Sequence, residues 1–360
     1  MSGAGRKART MAEKPPTETV APEAPPADDL LEQARPYRNE LLAHCYRMLG
    51  SVHDAEDLVQ DTYLRAWRAG DRFEGRSSLR TWLYRIATNA CLTAIEQRGR
   101  RPMPSGIGAP TDDPERPVSE APEVPWLEPI PDAMFGSEQP SDPAAVVVSK
   151  SSMRLALVAA LQHLPPRQRA VLLLRDVLKW RAAEVAELLG STTASVNSAL
   201  QRARAQLEQA APAEEELTEP TDPAMRELLD RYAAAFEKSD VTAIVDLFKE
   251  DAVWEMPPFP QWFRGRDTIM RLIANQCPIG RDEGLMVPTS ANGQPAFGLY
   301  NLQADGSYLP FHLQVLTLQK RRVAHVGAFF GPSLFTVFGL PEIIRPGDEA
   351  AVRRGGRTQG

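Results

Sequence analysis

Cysteine is nearly absent from this chain: Cys45, Cys91 and Cys277 are the only three in 360 residues. An odd number at wide spacing excludes a disulfide framework, gives no metal-ligand pattern and points to a reducing compartment. Histidine is equally sparse, at five residues. His44, Cys45 and His53 fall on expected helices without zinc-site spacing, and His44 and Cys45 read as packing residues. No apolar run approaches membrane-spanning length. The opening "MSGAGRKARTMAEKPPTETVAPEAPPADD" carries no apolar stretch of signal-peptide type; Met11 is a second candidate start. There is no glycine-rich phosphate cradle, no EF-hand loop and no internal repeat. The expectations are therefore a cytoplasmic protein with no membrane partner, no metal and no cofactor.

Proline, by contrast, is abundant at 32 residues, and it divides the chain into blocks. Residues 1–29, rich in Pro, Ala and Glu, read as a disordered N-terminus. Residues 30–101 read helical. Residues 102–149 are a linker too proline-rich for helix or sheet. Residues 150–210 are helical again, and 211–222 form a second acidic linker. Residues 223–340 mix helix and strand patterns, and 341–360 read as a flexible Gly/Arg-rich tail.

The net charge of −6 hides an uneven distribution. Residues 61–101 hold nine Arg against four Asp/Glu, and residues 150–210 hold nine Lys/Arg against four Asp/Glu. The linker 102–149 reverses this, with nine Asp/Glu against Arg116 alone. Two basic helical blocks thus flank an acidic tether.

Within the second block, "LLGSTTASVNSALQRARAQL" contains no carboxylate at all. Ala182, Val185, Ala186 and Leu189 mark one face of a short helix, Gly190 ends it, and Ser191 to Thr193 supply turn and cap oxygens. Val196, Leu200, Ala203 and Leu207 mark a second helix, which makes a helix-turn-helix. Its outward face offers Ser195, Asn197, Ser198, Gln201, Arg202 and Arg204, groups suited to phosphates and major-groove base edges. A carboxylate there would repel the phosphate backbone.

The run "LPPRQRAVLLLR" followed by "AEVAELLG" and "VNSALQRARAQL" resembles region 4 of the sigma-70 family. Earlier, "LLAHCYRMLGSVHDAEDLVQDTYLRAW" and "FEGRSSLRTWLYRIATNACL" resemble regions 2.1–2.2 and 2.3–2.4. With only regions 2 and 4, over about residues 30–208, the chain resembles an extracytoplasmic-function (group IV) sigma factor. The resemblance implies two all-α domains that bind core RNA polymerase through its β′ clamp and β subunit. It also implies that region 4 reads the −35 promoter element and that region 2 reads and opens the −10 element. In "DAEDLVQDTYLRAW", Ala55, Leu58, Val59, Thr62, Ala66 and Trp67 form the inward stripe. Asp54, Asp57, Gln60 and Asp61 face outward, and the resemblance makes that face the polymerase contact. Phe73, Trp82 and Tyr84, interleaved with Arg72, Arg76, Arg80 and Arg85, suit single-stranded DNA. Ser77 lies in the loop that would accept a flipped base, and Asn89 is a further polar candidate. Trp82, Leu83 and Ile86 read equally as core. The acidic linker is either a segment for the polymerase's RNA path or an extended tether.

Residues 223–335 resemble the SnoaL-like, ketosteroid-isomerase-like α+β cone, on "YAAAFEKSDVTAIVDLFKEDAVWEMPP" and "FRGRDTIMRLI". Strands are expected at "AVWEM", "FHLQVLTLQ" and "VAHVGAFFG", the last two as a hairpin, with a helix at "GRDTIMRLIANQ". Trp254, Met256, Phe259, Trp262, Phe263, Phe311, His312 and Phe329 either line a pocket or form packed core. Acid/base candidates are Glu255, His312 and His325. Strand alternation puts Glu255 opposite Trp254 and Met256, so no catalytic pair is visible and no enzyme is expected. The expected role of this domain is regulation in cis, through contact with regions 2 and 4. A stand-alone repressor would need no polymerase face and no strand-opening aromatics. The promoter, the inducing signal, any small-molecule ligand and any anti-sigma partner are not legible.

Overall fold

The computed structural model describes residues 27–70, 73, 75, 77–135, 153–210, 223–277 and 279–357. The N-terminus expected to be disordered, 1–29, lies outside them except for residues 27–29, which open a helix; the tether over 136–149 and the linker 211–222 lie outside them.

The first helical block is built from α1 (Ala27–Ala34), α2 (Arg38–Leu49), α3 (Val52–Arg68) and α4 (Leu79–Arg98). Gly50, in the left-handed conformation at φ 71°, ends α2. Ser51 then caps α3, its hydroxyl accepting from Asp54 N at 3.1 Å. The second block holds α5 (Leu155–Gln162), α6 (Pro166–Leu172) with one π turn over Leu173–Val177, α7 (Ala182–Leu188) and α8 (Thr193–Ala210).

The C-terminal unit adds α9 (Pro223–Glu237), α10 (Val241–Asp246), α11 (Arg266–Gln276) and α12 (Pro332–Val337) to a sheet. Its strands are β1 (Phe248–Glu255), β2 (Trp262–Arg264), β3 (Gly284–Ala291), β4 (Gln294–Leu302), β5 (Tyr308–Gln319) and β6 (Arg322–Phe330), in the order β2-β1-β6-β5-β4-β3. The expected β5–β6 hairpin is present. β3 to β6 form an antiparallel meander, and β1 joins it in parallel, beside β6.

Both faces of this sheet are buried. On β5, Leu316 and Leu318 face the domain's own helices, in a core with Tyr232, Phe248 and Trp254. Leu313 and Val315 face the other way and join the core of the two helical blocks, with Tyr46, Leu155 and Val158. The helical blocks are therefore seated on the outer face of the sheet.

Two expectations about the connecting segments are corrected. Residues 102–135 are no free tether but a strap across the sheet: Thr111 N donates to Trp262 O at 2.7 Å and Ala121 N to Pro258 O at 3.0 Å. Two of its carboxylates are held by other segments, Glu115 by Arg271 at 2.9 Å and Glu128 by Ser51 Oγ at 2.7 Å. Nor is 341–360 a flexible tail over its described part. Ile344 bridges to Tyr308, and α13 (Glu349–Arg357) is tied back by Arg353 to Glu237 at 2.8 Å.

Two buried histidines make this fold acid-sensitive. His44 meets Thr88 Oγ1 at 2.9 Å, and His312 sits in the cone interior. Burial lowers each to about 3, with the charge of Arg47 adding to the effect at His44. The unfolded chain takes up these protons below about 6.5, and the folded chain only near 3. Their contribution is thus complete above 6.5 and falls by about 1.4 kcal/mol per pH unit per histidine as pH drops. Between pH 7.5 and 5.5, urea midpoints are expected to fall accordingly, and His44→Gln is expected to remove about half of that difference.

Candidate nucleic-acid interface

The helix-turn-helix forms as its sequence requires. Gly190 takes φ 58°, Ser191 N reaches back to Ala186 O at 2.8 Å, and Thr192 Oγ1 accepts from Ser195 N at 3.2 Å. Val196, Leu200 and Ala203 are buried, while Ser195, Asn197, Ser198, Gln201, Arg202 and Arg204 are all exposed on one face. Arg204 is engaged there: its guanidinium holds Asp176 through two hydrogen bonds of 2.8 and 2.6 Å.

In the first block, Ser78 caps α4 by accepting from Thr81 N at 3.1 Å. Phe73 and Trp82 are half-buried and their ring centroids lie 4.9 Å apart, which makes one aromatic platform beside Ser77. Leu83 is core and Ile86 is half-buried, and Tyr84, expected among the DNA-facing aromatics, is fully buried with its hydroxyl on Glu40 at 3.0 Å. Arg72 and Arg76 lie outside the described residues; Asn89 is exposed on α4. Arg80 is bound within the block, to Glu40 at 2.5 Å, and lies over the Tyr84 ring at 5.0 Å. Arg85 reaches into the second block and pairs with Glu187 of α7 at 3.0 Å. Trp180 follows it, edge-on to Tyr84 at 6.2 Å.

The acidic face of α3 needs two corrections. Asp54 is not outward: its carboxylate is nearly buried between Arg98 and Arg101, the latter at 2.6 Å. Position three of a helix points back toward the preceding turn, where Arg98 at the end of α4 and Arg101 just beyond it converge. Trp67 is not inward but 46% exposed, with Leu64 beside it at 52%. Asp57, Gln60, Asp61, Leu64 and Trp67 recur at helical spacing, so the face combines carboxylates with apolar groups.

The cone residues divide between two faces. Trp254, Met256, Phe263, Phe311 and His312 face the interior and pack with Tyr232, Phe236 and Phe248. There Tyr232 Oη donates to Gln314 Oε1 at 2.8 Å, and Gln314 Nε2 meets His312 Nε2 at 2.8 Å. Phe259 packs on Phe330 at the rim of that core. Phe329 and Trp262 belong instead to the outer side, Phe329 in the core shared with the helical blocks and Trp262 bound to Gly108 O of the strap at 2.9 Å.

Glu255 is also on the outer side, as alternation requires, and there it meets His325 Nε2 at 2.6 Å. The parallel β1–β6 pairing brings these two together, and that pairing has no local signal in the sequence. Glu255 also accepts from Ser105 N of the strap at 2.7 Å. Burial opposes its charge, but His325 and the Ser105 N–H outweigh this and hold the carboxyl below the usual range.

A helix-turn-helix whose second helix carries no carboxylate before Glu208, a separate helical block with an aromatic platform and an appended α+β cone together define an RNA polymerase sigma factor with an extra domain. Residues 34–101 match the Sigma-70 region 2 family model, 154–207 the Sigma-70 region 4 model and 229–296 the SnoaL-like domain model. The ECF RNA polymerase sigma factor SigG of Mycobacterium tuberculosis (strain ATCC 25618 / H37Rv) is 53% identical over 325 residues, covering 89% of this chain and 87% of the relative. SigJ of the same strain is 29% identical over 243 residues, covering 66% of this chain and 69% of SigJ. The crystal structure of the M. tuberculosis extracytoplasmic function sigma factor SigJ superimposes with a TM-score of 0.57 at 24% identity, over 86% of this chain and 100% of that one, and so shares the fold. The chain belongs to the extracytoplasmic-function (ECF) RNA polymerase sigma factor family.

Proposed function

We propose that this sigma factor directs core RNA polymerase to a two-part promoter and that the arrangement described above is its resting state. Region 4 reads duplex DNA through Ser195, Asn197, Ser198, Gln201 and Arg202, with Arg204 joining once it leaves Asp176. Region 2 opens the −10 element on the Phe73–Trp82 platform, assisted by Arg80, Arg85 and Asn89. The face of Asp57, Gln60, Asp61, Leu64 and Trp67 meets the β′ clamp. The protein acts where bacterial polymerase is, in the cytoplasm, and it performs no catalysis of its own.

One observation carries the resting-state reading: Arg85 of region 2 and Glu187 of region 4 are in contact at 3.0 Å. Elements centred about 25 base pairs apart lie roughly 80 Å apart along duplex DNA. Domains in mutual contact cannot reach both, so the blocks must separate before a promoter is bound. The pair itself is exposed and worth little. The sheet of the C-terminal domain, on which both blocks are seated, supplies most of the holding energy, and this makes it a regulator in cis.

Co-elution with core polymerase and promoter-specific transcripts from the full chain test the activity. Arg202→Ala is expected to weaken duplex binding and to lower the slope of log affinity against log salt by about one. An unchanged slope would remove Arg202 from the interface.

A further inference from the structure

A cavity of about 390 Å³ lies on the outer face of the sheet, where the helical blocks and the strap meet it. That size is within the range of small-molecule sites. One rank across four strands forms its floor: Thr317 of β5, His325 of β6, Val253 of β1 and Arg264 of β2 are successive register partners. Leu155 and Ala159 of α5 form one apolar wall and Met103 of the strap another. Its walls thus come from three segments, and it exists only while region 4 and the strap are seated on the sheet.

Its charges are nearly all committed. Glu255 is saturated by His325 and Ser105 N. Asp251 is paired with Lys249 at 3.4 Å, and Lys249 Nζ also donates to Gln319 Oε1 at 2.8 Å. Arg264 borders the cavity, is exposed, and has no ion-pair partner among the described residues. Apolar walls with one uncommitted guanidinium select an apolar body bearing one negative charge.

We propose that this junction cavity binds a small amphipathic monoanion, an aromatic or alicyclic carboxylate whose ring lies against α5 and whose carboxylate pairs with Arg264. Such a ligand binds the seated arrangement and not the separated one, so it shifts the population toward the seated state. If seated means resting, as proposed above, the ligand is a corepressor; this last step rests on that reading.

The test uses the full chain and 1-anilinonaphthalene-8-sulfonate as a fluorescent probe, displaced by 1-naphthoate or by uncharged 1-naphthamide. Naphthoate is expected to displace the dye about tenfold more tightly than the amide, the worth of one charge-assisted contact. That preference is expected to vanish in Arg264→Ala. Ala159→Trp, which fills the cavity, is expected to weaken both competitors about tenfold. Failure of naphthoate to displace the dye, equal displacement by acid and amide, or native behaviour in both variants would overturn the site. Transcription on core polymerase separates the two readings. Naphthoate is expected to lower the output of the native chain and leave that of Arg264→Ala unchanged. Charge-selective binding with unaltered transcription would leave the site standing and overturn the corepressor step.

Discussion

Asn292→Gly is expected to raise promoter-specific transcription by the full chain about 100-fold, by releasing the helical blocks from the sheet. Asn292 is fully buried at the β3–β4 turn and makes every side-chain contact outside its own domain. Its Nδ2 donates to Tyr46 Oη of region 2 at 2.8 Å and to Met153 O, just before α5, at 2.7 Å. Its Oδ1 accepts from Ile130 N of the strap at 3.1 Å. Three separate segments are thus knotted by one amide. Removing it leaves buried groups unsatisfied and costs about 3 kcal/mol, or roughly a 150-fold change in the ratio of seated to separated molecules. Glycine is the informative replacement, because Asn292 and Gly293 both take positive φ, 57° and 67°. Gly-Gly keeps that two-residue turn without strain. Small-angle scattering should show an increase in the radius of gyration alongside the transcription gain. A larger radius with unchanged transcription would make the knot structural and not regulatory; no change in either would remove it from the hold altogether.

Arg169→Ala is expected to destabilise the helical body by about 4 kcal/mol, since it leaves buried carbonyl acceptors unsatisfied and opens a cavity. Arg169 is 1% exposed and has no carboxylate partner among the described residues; burial pulls its guanidinium down to about 10. It is held by carbonyls at two helix ends. Nη1 donates to Met48 O in the last turn of α2 and to Gln162 Oε1 at 2.8 Å, while Nη2 donates to Gln162 O at 3.1 Å and Leu164 O at 3.2 Å, beyond α5. Those carbonyls have no partner within their helices, and a cation is favoured at both C-termini. One planar fork therefore caps two helices and joins region 4 to region 2. Arg169→Lys should recover only part of the loss, since a single ammonium cannot span both ends. The thermal midpoint of the alanine variant is expected to fall by about 10 °C; a fall of less than about 2 °C would mean that water replaces the guanidinium without cost.

Much of this protein follows from sequence because its signals are local. The recognition helix was legible from a glycine, a cap and an apolar stripe within about twenty residues, and each exposed polar group predicted there is exposed. The same holds for the β5–β6 hairpin. Glu255 was placed on the outer face by alternation alone. Trp67 and Asp54 were misplaced because helical period fixes a direction, not what lies there: Trp67 stays 46% exposed, and Arg98 at the end of α4 and Arg101 just beyond it close over Asp54. The parallel β1–β6 pairing, the Glu255–His325 contact, the Asn292 knot and the junction cavity join residues tens to hundreds of positions apart. No local spacing encodes them. The strap shows the same limit in composition, since proline excludes helix and sheet but does not distinguish a free chain from one bound along a surface. Sequence by itself determined the class of protein and the faces its helices present. Only the tertiary structure decided which of those faces meet, because the sheet's second apolar face must be covered, and the covering elements are the two helical blocks themselves.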